Sequence, residues 1–236
     1  MWKATIRGLF ARKVRLVLTA LAILLGVAFV SATYVLTDSV KRSFNEVFAQ
    51  TLAGIDLRVA GESELGGSTS AGRISESVTD QVAAVPGVRT AQGFVQTSLA
   101  QFVDRDGNAI GGGGPPTFGI SWIDDGPLRL TAGHAPSGPD QVAMDAGTAK
   151  KHGYRVGDRV RVLLSGAAKE YEIVGLFGFG GTTDFGAVTF AAFDLATAQR
   201  EFDAGDSIDA VYVQRDPDVT TRELQARLEQ ALGPGY

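Results

Sequence analysis

The sequence of 236 residues contains no cysteine. A chain without cysteine has no disulfide framework, no thiolate metal site and no cysteine nucleophile. Its two histidines, His134 and His152, lie far apart in loop-like contexts, so a zinc site is not predicted. The sequence also lacks a GK[ST] phosphate-binding loop and a G-x-S-x-G nucleophile elbow. We therefore predict no catalytic, cofactor-binding or metal-binding residue, and we do not expect an enzyme.

Two glycine-rich stretches and one acidic stretch imitate functional motifs incompletely. Gly111–Gly114 is followed by two prolines and is expected to form a loop, and the glycines between 175 and 181 are interpreted as a mobile loop rather than a dinucleotide fingerprint. Asp104, Asp106 and Asn108 resemble the start of a calcium loop, but its invariant glycine position is Ala109. We expect a hairpin turn there.

Acidic residues are absent from the first 37 positions, whereas five basic residues occur in the first fifteen: Lys3, Arg7, Arg12, Lys13 and Arg15. Residues 37–236 carry the other seventeen basic and all 26 acidic residues, a formal charge of −9. Nucleic-acid binding requires clustered basic residues, so a nucleic-acid partner is not expected.

An uncharged run of 21 residues, from Leu16 to Leu36, follows the basic segment. As a helix it is about 31 Å long, which matches the hydrocarbon core of a bilayer. The basic flank places the N-terminus in the cytoplasm by the positive-inside rule, and residues 37–236 outside. The alternative, a cleaved signal peptide, has a shorter apolar region and a cleavage site at its end, so we favour an uncleaved transmembrane helix.

Residues 1–15 place several apolar side chains, among them Trp2 and Phe10, on one helical face. This pattern indicates a short amphipathic helix on an anionic leaflet, and an ordinary basic flank remains the alternative. Beyond the span, Val40, Phe44, Val47 and Phe48 recur at helical spacing. They predict that the helix continues outward, either as a lever for conformational change or as a stalk packed beneath the outer domain.

Short strands and short helices alternate through residues 37–236 and predict an α+β domain, which we expect to contain two subdomains. Strands are predicted at 55–59, 88–103, 141–145, 156–164, 169–177, 187–193 and 208–214. Four helices are predicted. They run over residues 76–85, from the end of the 141–145 strand through Lys151 to a Gly153 cap, from an Asp194 N-cap to Phe202, and onward from a Thr220–Glu223 capping box.

Several of these stretches resemble one family. They are the Arg7–Lys13 segment before the span, the passage from Gln141 to Val160 with its Val156-Gly157-Asp158 motif, the return strand Tyr171–Gly175 and the strand-to-helix segment Phe193–Gln199. The chain resembles the N-terminal part of FtsX-like, MacB-type ABC transporter permeases, namely their first membrane span and extracytoplasmic core domain. The similarity covers essentially the whole sequence, and its motifs are structural rather than catalytic.

The resemblance implies a permease subunit that relays ATP-driven conformational change to an extracytoplasmic domain, for export or cell-envelope signalling. It implies three kinds of partner: a cytoplasmic ABC ATPase, a second permease copy in a homo- or heterodimer, and the lipid bilayer of the cell membrane. Such permeases have three further spans, so we interpret the chain as truncated before the surface that meets the ATPase. The alternative is a membrane-anchored extracytoplasmic binding module without transport activity.

Overall fold

A computed structural model describes residues 17–19, 21–27, 54–61, 72–111, 117–186 and 188–236. The chain divides into two compact units, Met1–Ala49 and Gln50–Tyr236. In the first unit, the described residues between 17 and 27 are helical and exposed. Among the described residues, no helix is long and apolar enough to cross a membrane. Most of the predicted span, the predicted amphipathic helix and the Val40–Phe48 stripe lie outside the described residues.

The second unit, hereafter the outer unit, is described from residue 54 onward. Its strands are β1 (Leu57–Val59), β2 (Ile74–Ser75), β3 (Val88–Phe94), β4 (Gln96–Thr97), β5 (Gln101–Val103), β6 (Thr117–Ser121), β7 (Leu128–Gly133), β8 (Gln141–Asp145), β9 (Arg159–Leu163), β10 (Lys169–Phe179), β11 (Thr189–Phe193), β12 (Ser207–Ile208) and β13 (Ala210–Arg215). Its helices are α1 (Val78–Ala83), α2 (Ala146–His152), α3 (Leu195–Glu201) and α4 (Thr221–Leu232). This composition confirms the α+β fold class.

The larger sheet has eight strands in the order β4-β6-β11-β8-β10-β9-β5, with β7 added beside the second half of β10. Its two end strands, β4 and β5, are separated in sequence by only residues 98–100. A link this short cannot cross a flat sheet, because strands lie about 4.8 Å apart, so the sheet must curl until its two ends approach each other. Helices α2 and α3 pack on this sheet.

The smaller sheet has three antiparallel strands in the order β1-β13-β3. Helix α1 packs on β3 and β13, and α4 packs against α1. A separate antiparallel pair joins β12 to β2. One continuous hydrophobic cluster contains residues from both sheets, for example Val211 and Val213 from β13 with Met144 and Phe193 from β8 and β11. The expected two subdomains therefore correspond to two sheets that share a core.

The helix ends follow the predicted capping chemistry. Asp145 caps α2 by accepting from the Thr148 N–H at 2.8 Å, and Asp194 caps α3 by accepting from the Thr197 N–H at 3.0 Å. Gly153 ends α2 in the left-handed conformation, with φ of 72°. The Thr220–Glu223 capping box of α4 is also present. The predictions for Gly153, Asp194 and the Thr220–Glu223 box are confirmed, and the structure adds the cap at Asp145.

Two predicted strands and one predicted loop need correction. The single strand predicted over 88–103 is three strands, because Val95 carries the chain from the smaller to the larger sheet and residues 98–100 then connect β4 to β5. The strand predicted over 208–214 is interrupted at Asp209. The glycines interpreted as a mobile loop include Gly175 and Gly178, which lie inside β10, since β7 pairs with this part of the strand.

Candidate functional site

The chain passes from the smaller to the larger sheet through one residue, Val95, which separates β3 from β4 and is 0% exposed. Its N–H donates to the Ser121 Oγ at 3.0 Å, and its carbonyl accepts from the Ser121 N–H at 2.9 Å. Ser121 is itself buried at the end of β6. Because both backbone groups of Val95 are held by one buried residue of the larger sheet, this crossing has little freedom to bend.

Asp209, which separates β12 of the two-stranded pair from β13 of the smaller sheet, is bonded directly to this crossing. The Asp209 N–H donates to the Phe94 carbonyl at 2.8 Å, and its Oδ2 accepts from the Gln96 N–H at 2.7 Å. Its other carboxylate oxygen, Oδ1, lies 3.3 Å from the Arg73 Nε. The side chain is 19% exposed, so these charge-assisted bonds are partly shielded from water. We call Phe94, Val95, Gln96, Ser121 and Asp209 the junction.

Two glutamines of the smaller sheet hold the loop that follows β6. Gln92 on β3 donates to the Asp124 carbonyl and accepts from the Asp124 N–H, both at 2.9 Å. Gln214 on β13 is buried and donates to the Asp125 carbonyl at 2.9 Å. Asp125 has a positive φ of 54°, an uncommon conformation that these contacts help to hold. The backbone of Asp124 and Asp125 therefore joins the loop after β6 to the smaller sheet.

Aromatic side chains fill the space beside the junction. Phe94 and Tyr212, from the smaller sheet, stack with ring centroids 4.6 Å apart. They pack in a second hydrophobic cluster with residues of the larger sheet and its loops, including Ile120 and Phe177. Trp122 meets Phe177 edge to face at 5.8 Å. Burying each large aromatic side chain contributes about 1.5–3 kcal/mol, which gives the junction substantial resistance to opening.

The chain segments that enter and leave the smaller sheet are bonded to each other. Asp56, just before β1, accepts from the Arg215 N–H at 3.0 Å and forms an ion pair with the Arg215 Nε at 3.2 Å. The Asp56 N–H donates to the Val213 carbonyl at 2.9 Å. Arg215 also donates through Nη1 to the Val219 carbonyl at 2.8 Å, immediately before α4. The segment that enters the smaller sheet and the helix that leaves it are therefore held at one place.

A buried carboxylate fixes α3 to the larger sheet. Glu201, at the end of α3, pairs with the Lys169 Nζ at 2.7 Å and with the Arg200 Nε at 3.3 Å. Burial acts to raise the pKa of this carboxyl, but the two cations together outweigh burial, so its pKa lies below the ordinary value of 4.5. Next to it, Arg73 donates to the Asp203 carbonyl at 2.9 Å, which extends the junction to the end of α3.

The side chains of Asp104 and His134 make contacts with neighbouring backbone groups. Asp104 Oδ1 accepts from the N–H groups of Asp106 and Asn108 at 2.9 and 2.7 Å, so the predicted turn is confirmed. These backbone bonds, led by that from Asn108, lower the pKa of Asp104. The His134 Nδ1 lies 2.8 Å from the Ala135 carbonyl, and His152 is in the last turn of α2. Within the described ranges, no group of three or more acidic or histidine side chains could hold a metal ion.

Sequence reasoning did not identify the junction residues. The available signal was Asp209, an acidic residue between apolar residues of a predicted strand. Such a residue is unfavourable inside a buried strand unless its carboxylate is hydrogen bonded. The sequence does not show which backbone groups bond to it, since Gln96 lies 113 residues away.

The fold is similar to the extracytoplasmic domains of two proteins of known structure. It matches the periplasmic region of MacB from Actinobacillus actinomycetemcomitans with a TM-score of 0.58 and 13% identity, over 76% of this chain and 85% of that one. It also matches the extracellular domain of the ABC-type transporter YknZ from Gram-positive bacteria, with a TM-score of 0.51 and 14% identity, over 75% and 93% of the two chains. Comparison with curated protein sequences gives no match.

The sequence model described as the MacB-like periplasmic core domain matches residues 16–231. The chain therefore belongs to the family of MacB-like periplasmic core domains. The resemblance to MacB-type, FtsX-like ABC permeases that the sequence motifs indicated is confirmed.

Proposed function

We propose that this chain is part of a permease-type membrane subunit of an ABC transporter and relays ATP-driven conformational change from the cytoplasm to its outer unit. The output is export or cell-envelope signalling. The observation that carries the proposal is the junction, where one buried residue, Val95, connects the two sheets and Asp209 is hydrogen bonded to the residues on either side of it. Membership of the MacB-like family supports the same function.

The proposed topology follows from the charges of the sequence. Residues 1–15 lie in the cytoplasm, residues 16–36 cross the cell membrane, and residues 37–236 form the extracytoplasmic part. ATP hydrolysis belongs to a cytoplasmic ABC ATPase, and a second permease copy completes the membrane unit. Labelling of single cysteines on intact cells tests the topology. A cysteine at exposed Lys151 should react with an impermeant thiol reagent and one at Ala4 should not; the reverse pattern would contradict it.

The contacts within the outer unit support such a relay. A displacement of the segment before β1 or of α4 acts first on the smaller sheet, because the Asp56–Arg215 pair fastens both to it. The shared core and the junction then carry the displacement to the larger sheet without a flexible linker. Packed interiors transmit displacement because they resist compression. The larger sheet and its loops are therefore the surface that the relay moves.

An insertion at the junction tests this proposal. Two glycines inserted after Val95 in the complete permease should leave its ATPase rate intact and abolish the phenotype that depends on the transporter. The same insertion after Gly166, in the exposed turn between β9 and β10, is the matched control and should preserve both. Membrane abundance of each variant must equal that of the wild type. Normal output from an abundant junction variant would contradict the relay.

A further inference from the structure

The outer unit leaves a few of its basic side chains without partners. Its described part contains fifteen lysines and arginines, and eleven of these side chains donate a hydrogen bond or form an ion pair. The other four make neither contact with any described residue: Lys150, Lys151, Arg155 and Arg222. Three of the four fall within six consecutive positions, so they form a local cluster.

These three residues surround the end of α2. Lys150 and Lys151 occupy its last turn, and the Tyr154 N–H donates back to the Ala149 carbonyl at 2.9 Å after the Gly153 cap. Arg155 then begins a turn in which its N–H donates to the Asp158 Oδ2 at 2.9 Å, while its guanidinium remains exposed. Val156, the next residue, is 42% exposed. We call Lys150, Lys151, Arg155 and Val156 the basic end.

Helix electrostatics explains only part of this cluster. Cations in the last turn of a helix are stabilised by the helix dipole, and this accounts for Lys150 and Lys151. It does not account for Arg155, which follows the cap, or for the exposed valine beside it. The nearby Arg159 and Arg161 differ from these three residues because their side chains have partners. Arg159 pairs with Glu170 at 3.6 Å, and Arg161 donates to the Asp104 carbonyl at 3.1 Å.

The charge of the basic end contrasts with the rest of the outer part. The three cations of the basic end carry a formal charge of +3, which leaves −12 for the remainder of residues 37–236. An extended anionic surface, such as a lipid leaflet, would approach the acidic remainder of residues 37–236 together with the basic end, and the acidic residues would repel it. A narrow anionic segment can contact the basic end alone.

We propose that the basic end is a docking surface for an acidic polypeptide segment of an extracytoplasmic partner. All three cations are exposed, so a single small anion would gain only weak, screened contacts, whereas a chain with several carboxylates can engage all three. Val156 offers an apolar contact that a peptide with interspersed leucines satisfies and a polyphosphate does not. This surface does not depend on the relay proposed above.

Titration of the full chain in detergent with a peptide that alternates glutamate and leucine tests the proposal. We expect binding that weakens as ionic strength rises, and no binding of the counterpart with glutamine in place of glutamate. Arg155→Glu should weaken the affinity about tenfold, because it replaces an attractive charge by a repulsive one. Arg222→Glu is the matched control, since Arg222 is also exposed and without a partner among the described residues, and it should change the affinity less than about twofold.

Three results would overturn the proposal. The first is no binding of the acidic peptide to the wild-type chain. The second is equal weakening by Arg155→Glu and Arg222→Glu, which would show a general effect of net charge. The third is binding to phosphatidylglycerol vesicles that Arg155→Glu abolishes, without peptide binding, which would assign the surface to an anionic membrane. Circular dichroism of both variants verifies that they are folded.

Discussion

Replacing Asp209 by alanine should weaken the junction and destabilise the outer unit. The substitution removes the acceptor of the Gln96 N–H at 2.7 Å and the ion-pair partner of Arg73 at 3.3 Å. A hydrogen bond to a charged group contributes about 1.5–3 kcal/mol, and a partly exposed ion pair up to about 1 kcal/mol. Gln96 is exposed, so water replaces part of the lost bond. We therefore expect a loss of about 2 kcal/mol in the free energy of unfolding.

For a domain of this size, such a loss lowers the melting temperature by about 4–8 °C. Trp122 lies beside the junction, packed against Phe177, and reports unfolding by fluorescence once the other tryptophan, Trp2, is replaced by phenylalanine. Asp206→Ala is the matched control, since Asp206 is exposed and its side chain contacts no described partner. If Asp209→Ala and Asp206→Ala melt at the same temperature, the carboxylate does not hold the junction together.

Three further predictions concern the rest of the chain. Gly133→Ala should destabilise the outer unit by more than Gly153→Ala. Both glycines have φ near 72°, but only at Gly133 would the added Cβ collide with a backbone carbonyl, that of Val174. Equal losses of the free energy of unfolding in chemical denaturation would refute this. The folded-state pKa of Glu201 is lowered, so the ionised carboxylate stabilises the fold above pH 4.5, and this stabilisation is lost as the pH falls through the folded-state pKa. Glu201→Gln should therefore flatten this part of the stability–pH profile. An unchanged profile would contradict the stabilising role of the Glu201 carboxylate. Phe44→Asp should preserve membrane abundance and ATPase rate in the complete permease while output falls, and a mutant with normal output would exclude a lever.

Local signals in the sequence were sufficient to predict the helices of the outer unit. The caps at Asp194 and Thr220 depend on residues three positions away, and their side chains meet the expected N–H groups. The strands β9 and β10 were predicted from alternating apolar residues on either side of a short turn, and the structure pairs them antiparallel.

The sheet crossings could not be predicted in the same way. Val95 lies in an apolar stretch that is typical of one continuous strand, and only its bond to Ser121, 26 residues away, shows that the chain changes sheets there. The glycines at 175 and 178 likewise favoured a loop, although β7 pairs with that stretch and the absence of side chains permits the close approach of backbone at His134 and Thr182. Contacts between distant segments decide these positions.

The central claim is that the two sheets of the outer unit move as one body during the ATPase cycle. The chain has no cysteine, so Lys151→Cys on α2 and Arg222→Cys on α4 provide two unique spin-label sites, one beside each sheet. Pulsed electron paramagnetic resonance on the complete permease with its ATPase measures the distance between them with and without trapped nucleotide. The relay predicts the same narrow distance distribution in both states. A shift or a second population on nucleotide trapping would show that the junction bends, and would contradict the account.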